Sequence, residues 1–395
     1  MPMNALRITA IVLLVAIAPV LAGPASAQQT VRIGELAGLT GGIAPYGTQL
    51  HNARLIALDE INAKGGITVG GKKVKLEMVH LDGGAPTEAI KVFERLLTVE
   101  KVTLILDGVY SSVEYALGPV LKSKKAMLIW SGGNDPATTV GVPNAFRNHF
   151  DGGLPFMRVN ERFLKKMNVK RVATYGQTGH SDFKRFVEEY LPKVQGIEVV
   201  AQEWHPFGEK DYFPILTKIK NLKPDAVVVH GFFTDGTTML KQAREIGLFP
   251  GVLWLAQYGA APLMMDEASR KVWEGAYEIL KSSWGVTTEA PEKSKRLYQA
   301  WIKKFGSDRG YGAWVESGYD SVYILAKAIE KAGTADDVDK VIAAMRELSV
   351  SDIPELTMPY KPGKLFDKDG QALPKIVVSQ WKDAKFVPVF SDYGE

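Results

Sequence analysis

"TVRIGELAGLTGGIAPYGTQLHNARLIALDEINAKGG", residues 30–66, decides the fold. Residues 30–39 read as a buried strand running into a Gly-rich turn. Leu50, Ala53, Leu55, Ile56, Leu58 and Ile61 then form a helical stripe. The stripe stops at Lys64-Gly65-Gly66, a cation in the last turn followed by a glycine cap. Working outward, the same strand–turn–helix unit recurs. "KVKLEMVHLDGG" is the next strand and "PTEAIKVFERLLTVEK" the next helix. "VTLILDG" follows, then a helix from about Val113, then "KAMLIW". Such repetition predicts a parallel sheet with helices on both faces.

The alternation restarts at "VKRVATYG" (169–176). It continues through a helix near 181–194, "IEVVAQEW", a helix near 211–221, "PDAVVVHG", a helix over Thr237–Gly247, and "GVLWLAQ". Two sheets in series are expected, an α/β chain of two doubly wound lobes. "NHFDGGLPF" (148–156) reads as a crossing segment between them. "YEILKSSWG" (277–285) reads as a crossing back, into the helices "EKSKRLYQAWIKKFG" and "AWVESGYDSVYILAKAIEKAG". The tail from Gly363 reads as strands around a tight turn, with "DKDGQ" (367–371) a turn rather than a calcium loop.

The composition agrees. A chain of 395 residues is long for one core and suits two lobes. A net charge of +4 without a basic block argues against nucleic acid. The N-terminus has Arg7, an apolar run Ile8–Leu21 and "ASA" at 25–27, the pattern of a secretory signal peptide covering residues 1–27. With no Cys, neither a lipid thioether nor a disulfide is available, so an exported chain is held by its core alone.

Ligands of open parallel sheets sit outside the carboxyl ends of the strands. Those ends read "AGLTGGIAPYG", "DGVYSS", "WSGGND", "YGQTGHSD", "HGFFTDG" and "LAQYGAAP", rich in Gly, hydroxyls and aromatics. Nothing in them signals catalysis. GxSxG, GxxxxGK[ST] and HExxH are absent, and the six His, at 51, 80, 149, 180, 205 and 230, lack metal-ligand spacing. A binding protein without cofactor or metal is expected, not an enzyme.

"APYGTQLHNARLIALDEINAKGGI" (44–67) strongly resembles the first helix of the leucine/isoleucine/valine-type periplasmic substrate-binding proteins of ABC importers. The likeness continues through "DGVYSS", "SGGNDP", "AFRNHFDG", "AVVVHGFFTDGTTMLKQAREIGL" and "YGAWVESGYDSVYILAKAIEKAG", over essentially the whole mature chain. It implies the type I periplasmic-binding fold, two lobes joined by three crossovers, the third near 356–360. The implied division is residues 28–148 with 281–357 in one lobe and 149–280 with 358–395 in the other. It also implies a periplasmic location, a small ligand held by hinge closure, and an inner-membrane ABC permease as partner. A sensing module would use the same fold.

In the family, a hydroxyl on the "YSS" loop and backbone amides on the "SGGND" loop hold the ligand's carboxylate; the matching positions are Ser112, Gly132 and Asn134. Glycines admit such donors without a Cβ in the way. Alternatively, Gly132-Gly133 is only a tight turn and Ser112 a helix cap. Gln257 stands where amino-acid binders carry an acid for the ligand's ammonium, although Asp182 or Asp235 can substitute. His180 and Phe232 stand at positions of family tyrosines. Tyr46 and Tyr110, on turns, are further candidates for the cleft wall, with Phe233 and Tyr258 in the same loops. Trp130, Phe150 and Trp254 either line the cleft or pack beneath it. Burying an ammonium without its counter-charge costs several kcal/mol. The expected ligand is therefore a hydrophobic or aromatic acid, with an amino acid or amide as the alternative.

Overall fold

The strand and helix alternation resolves into two sheets in a computed structural model, which describes residues 30–83, 86–108, 111–132, 138–150, 152–231, 233–257, 260–280 and 283–395. The expected signal peptide lies outside the described residues, among which no helix is long and apolar enough to cross a membrane. The first sheet contains β1 (Thr30–Leu36), β2 (Ile67–Val69), β3 (Lys72–Leu81), β4 (Leu104–Asp107), β5 (Met127–Trp130) and β6 (Ala145–Arg147). Their order is β2-β3-β1-β4-β5-β6. Apart from the β2–β3 hairpin, all neighbours are parallel. The second sheet contains β7 (Arg171–Gln177), β8 (Glu198–His205), β9 (Ala226–His230), β10 (Leu253–Ala256), β11 (Tyr277–Ile279), β12 (Ile376–Lys382) and β13 (Lys385–Asp392), in the order β13-β12-β11-β10-β9-β7-β8. Every residue of β4, β5 and β9 is buried, because helices cover both faces of each sheet.

The glycine cap read from the sequence forms as expected. The helix Ala44–Ala63 ends at Lys64, Gly65 and Gly66 both take positive φ, and the Gly66 amide donates back to the Ile61 carbonyl at 3.0 Å. That helix packs on the later helix Val315–Ala332, with Ala53, Ile56 and Ala57 sharing one core with Tyr319, Val322 and Ile33. The sequence reading missed two long helices, Leu154–Lys166 and Val338–Arg346, and two single-turn ones, Ala261–Met264 and Glu267–Arg270. "DKDGQ" is a turn: the Gly370 amide donates to the Asp367 carbonyl at 3.1 Å. Trp130, Trp254 and Phe150 are fully buried and packed in the cores.

The chain passes between the lobes three times, and the first turns of the helix Val315–Ala332 hold all three passages. The Ser317 carbonyl accepts from Asn148 Nδ2 at 2.7 Å, at the first crossing. Glu316 Oε1 accepts the Gly285 amide at 2.5 Å, at the second. Asp320 accepts the amides of Thr357 and Met358 at 2.8 and 3.1 Å, at the third. From there Met358, Leu365, Phe366 and Ala372 stay in the first core, and the third passage is completed where the chain enters β12 at Ile376.

Candidate ligand-binding site

Each sheet reverses its strand order beside its first strand, between β1 and β4 and between β7 and β9. Ligands of doubly wound sheets bind at such reversals, beyond the carboxyl ends of the strands. On the first lobe, Gly108 follows β4 with φ +112°. A Cβ there would lie 2.9 Å from the amide nitrogens of both Ser131 and Gly132. Only glycine lets the two loops come this close. Sequence reasoning passed over Gly108, although a glycine directly after a buried strand was its signal. Gly132 is buried beside it, and the Ser131 amide donates to the Asp107 carbonyl at 3.0 Å.

Ser112 is exposed and lies inside the first turn of the helix Ser111–Lys122. The helix starts at Ser111, so the capping alternative does not describe Ser112. Glu114 in the same turn is fully buried and binds Arg147 of β6 at 2.8 Å. This pair fixes where the helix begins relative to the sheet. Arg147 also donates to Gln371 Oε1 at 3.0 Å, and Thr138 donates to Glu114 at 2.8 Å.

On the second lobe, His180 precedes the short helix Ser181–Arg185 and is half-buried. Its ring meets that of His230, the last residue of β9, with centroids 4.5 Å apart. Phe183 stacks on His230 at 4.9 Å and 20°. Asp182 is buried, with Oδ2 3.8 Å from His230 Nε2. Asp235 is buried as well and accepts the Gly208 amide at 3.2 Å. Gln257 is fully buried and donates to Asn160 Oδ1 at 2.7 Å, so the donor end of its amide points into the lobe, toward the helix Leu154–Lys166. One register position from Gln257, on β11, is Glu278, which sequence reasoning did not single out. It is a buried acid accepting the Ala261 amide at 3.0 Å.

Tyr46 is buried rather than open to a ligand. Its ring meets Trp314 edge-on at 4.8 Å, in an apolar cluster shared with Ala260, Ala261 and Leu263 of the second lobe. Around this cluster the lobes touch directly. Gly310 donates to the Leu263 carbonyl at 3.0 Å, Gln49 Nε2 lies 3.3 Å from the Met264 sulfur, and Arg270 grips Asp308 with two bonds of 3.0 Å. Tyr110, Asn134 and Phe232 lie outside the described residues, as do Gly133 and Tyr258; the helix Phe233–Glu245 is described, but not the side chain of Phe233.

Comparison with known proteins agrees with this architecture. The family model described as periplasmic binding protein matches residues 30–385. A Leu/Ile/Val-binding protein homolog 7 of Brucella suis is 26% identical, the match covering 95% of each chain. The Leu/Ile/Val-binding protein BraC3 of Rhizobium johnstonii is 25% identical, over 81% of this chain and 84% of that one. Among solved structures, the Streptococcus pneumoniae branched-chain amino acid transporter substrate-binding protein LivJ, in complex with isoleucine, superposes with a TM-score of 0.76 at 24% identity, over 91% of this chain and 99% of that chain. A solute-binding protein of an R. palustris ABC transporter, in complex with benzoate, gives 0.75 at 18% identity, over 92% and 96%. At these identities the two superpositions speak for the fold.

Proposed function

The chain belongs to the periplasmic binding protein family, and from that premise we propose that it is the solute-binding component of an ABC importer, taking a hydrophobic or aromatic carboxylic acid between its lobes. In this reading the lobes comprise residues 28–148 with 281–357 and residues 149–280 with 358–395, except that the stretch through Leu365, Phe366 and Ala372 packs on the first core before the chain joins the second sheet at β12. Ser112 and the amides around Gly132 and Asn134 hold the carboxylate on the first lobe. His180 faces the other end of the ligand, and Tyr110 and Phe232 complete the wall. Gln257 acts from behind, through Asn160, and Tyr46 through the lobe contact.

The observation that carries the ligand class is the ring cluster His180, His230 and Phe183 at the second reversal. It presents π faces and imidazole nitrogens, and the nearest acid, Asp182, already lies against His230. An α-ammonium there meets an acid already packed against an imidazole, whereas an aromatic ring meets a matching edge or face. A second reading, an amino acid, is favoured by the buried acids Asp235 and Glu278 of the same lobe. The superposable relatives include both an isoleucine complex and a benzoate complex.

A thermal-shift screen decides between the two. A ligand at ~100 times its Kd stabilises the bound form by about 2.7 kcal/mol, a readable rise in Tm. Benzoate-class and other apolar carboxylates are expected to give it, and leucine, isoleucine and valine to give none. Saturable shifts with the three amino acids alone would overturn the acid reading. Ser112→Ala is expected to weaken the best ligand by about 1–2 kcal/mol, the loss of one hydrogen bond to a charged group, with little change in the Tm of the empty protein. Unchanged affinity by calorimetry would remove Ser112 from the grip.

A further inference from the structure

We propose that Glu35, His51 and His80 form a binding site for a divalent transition metal of the zinc, cobalt or nickel class on the first lobe, at the carboxyl ends of β1 and β3 and built from none of the residues assigned to the ligand. The six histidines show no ligand spacing along the sequence, but the fold brings two of them onto one carboxylate oxygen. Glu35 on β1 and His80 on β3 are direct partners in the parallel register. His51 comes from the helix Ala44–Ala63, one turn before Arg54. The Nδ1 atoms of His51 and His80 lie 2.6 and 2.8 Å from the same atom, Glu35 Oε2. The carboxylate is fully buried, while the two imidazole side chains are 22% and 24% exposed. A hydrated ion therefore has a path to all three donors and solvent to supply a fourth.

Charge and chemistry both favour a metal over a purely structural role for the pair. The one buried charge is already balanced: Arg54 Nη1 lies 2.9 Å from Glu35 Oε1, and Arg54 is itself fixed by the Asp107 carbonyl at 2.9 Å. Two further donors on the remaining oxygen are more than neutralisation requires. Two neutral imidazole nitrogens and one carboxylate oxygen, with an open fourth position, are a donor set of zinc-class metals. Arg54 orients the carboxylate from behind, as outer partners of metal ligands do, at some electrostatic cost to the cation. Bonds of about 2.0–2.2 Å in a tetrahedral site hold their ligand atoms about 3.4 Å apart. The present contacts need to open by roughly 0.6–0.8 Å, which asks for rotation of the two partly exposed rings. A bound ion would join β1, β3 and the helix Ala44–Ala63 by coordinate bonds.

The site is distinct from the second grouping of this kind, His180, Asp182 and His230, which lies at the ligand-binding reversal of the other lobe. The two sites give the experiment its control. Protein prepared without a histidine tag is titrated with Co2+, following the visible absorption of the coordinated ion, and with Zn2+ in a thermal-shift assay. One equivalent per chain is expected, with a rise in Tm, both lost on acidification as protons displace the metal from the imidazoles. His80→Ala and His51→Gln should each abolish the absorption and the shift, and His180→Ala should leave both intact. His180→Ala abolishing the signal while His80→Ala keeps it would place the metal in the ligand cleft and overturn the proposal. Absence of a saturable cobalt spectrum in the unmodified protein would overturn it as well. Should His80→Ala fold poorly, retention of the signal by His51→Gln overturns the proposal equally.

Discussion

Glu316→Gln is expected to raise stability at pH 8 and to change it little near pH 5. Glu316 is fully buried at the second crossing, with the Gly285 amide and the Tyr311 hydroxyl as partners. Burial pushes its carboxyl up to about 8; the Gly285 amide opposes this, and the nearby charge of Asp320 adds to it. Asp320, one turn on, is pushed up to about 7 by burial, against the pull of the Thr357 and Met358 amides. The folded state therefore holds protons that the unfolded chain has released. That stabilisation is fully present below the ordinary carboxyl pKa of 4.5 and is lost as pH rises through the folded value of about 8. Each pH unit inside the window removes up to about 1.4 kcal/mol per proton. With the titration shared between two neighbouring acids, a difference on the order of 2–4 kcal/mol between pH 5 and pH 8 is expected. Chemical denaturation of both proteins across this range measures it. Parallel curves would show that Glu316 is ionised in the folded protein throughout.

Arg147→Ala is expected to destabilise the protein by about 3–5 kcal/mol, because it leaves the buried Glu114 carboxylate without its cation. The cause is the orphaned charge, not the lost attraction. A double variant, Arg147→Met with Glu114→Gln, should therefore recover most of the loss. Urea denaturation of the single and double variants reads this directly, and equal losses in both would assign the effect to packing around the arginine stem. Ligand affinity is expected to fall in the single variant, since Glu114 lies in the same helical turn as Ser112.

Much of the fold was legible because helices and buried strands leave different periods in the sequence. Ala53, Ile56 and Ile61 line one helix face and are all buried. "LILD" and "MLIW" are unbroken buried runs because both faces of the sheet are covered. The helix Leu154–Lys166 carried the same signal, in Phe156, Val159, Phe163 and Leu164, but its glycine and proline prelude read as a linker. The site was less legible. Arg54, Glu114 and Arg147 look like solvated charges when only the sequence is read, yet all three are fully buried. Their charged partners lie 19 and 33 residues away, beyond any local pattern. The convergence of His51 and His80 on Glu35 follows from the β1–β3 register and the seating of one helix, neither of which spacing reveals. At Gln257 the sequence showed the missing charge but not that the amide would turn inward to Asn160.

The contacts that already join the lobes have a consequence for discrimination. The Gly310–Leu263 bond and the Arg270–Asp308 fork are made between protein groups alone. Any cargo that lets the lobes meet gains the same help from them, whatever its chemistry. Such contacts strengthen retention of good and poor cargoes in equal proportion, and selectivity is a difference between affinities from which a common contribution cancels. If the proposed inter-lobe binding holds, this part of the grip is separate from the groups that choose the cargo, so it can drift through substitution while the choice stands still.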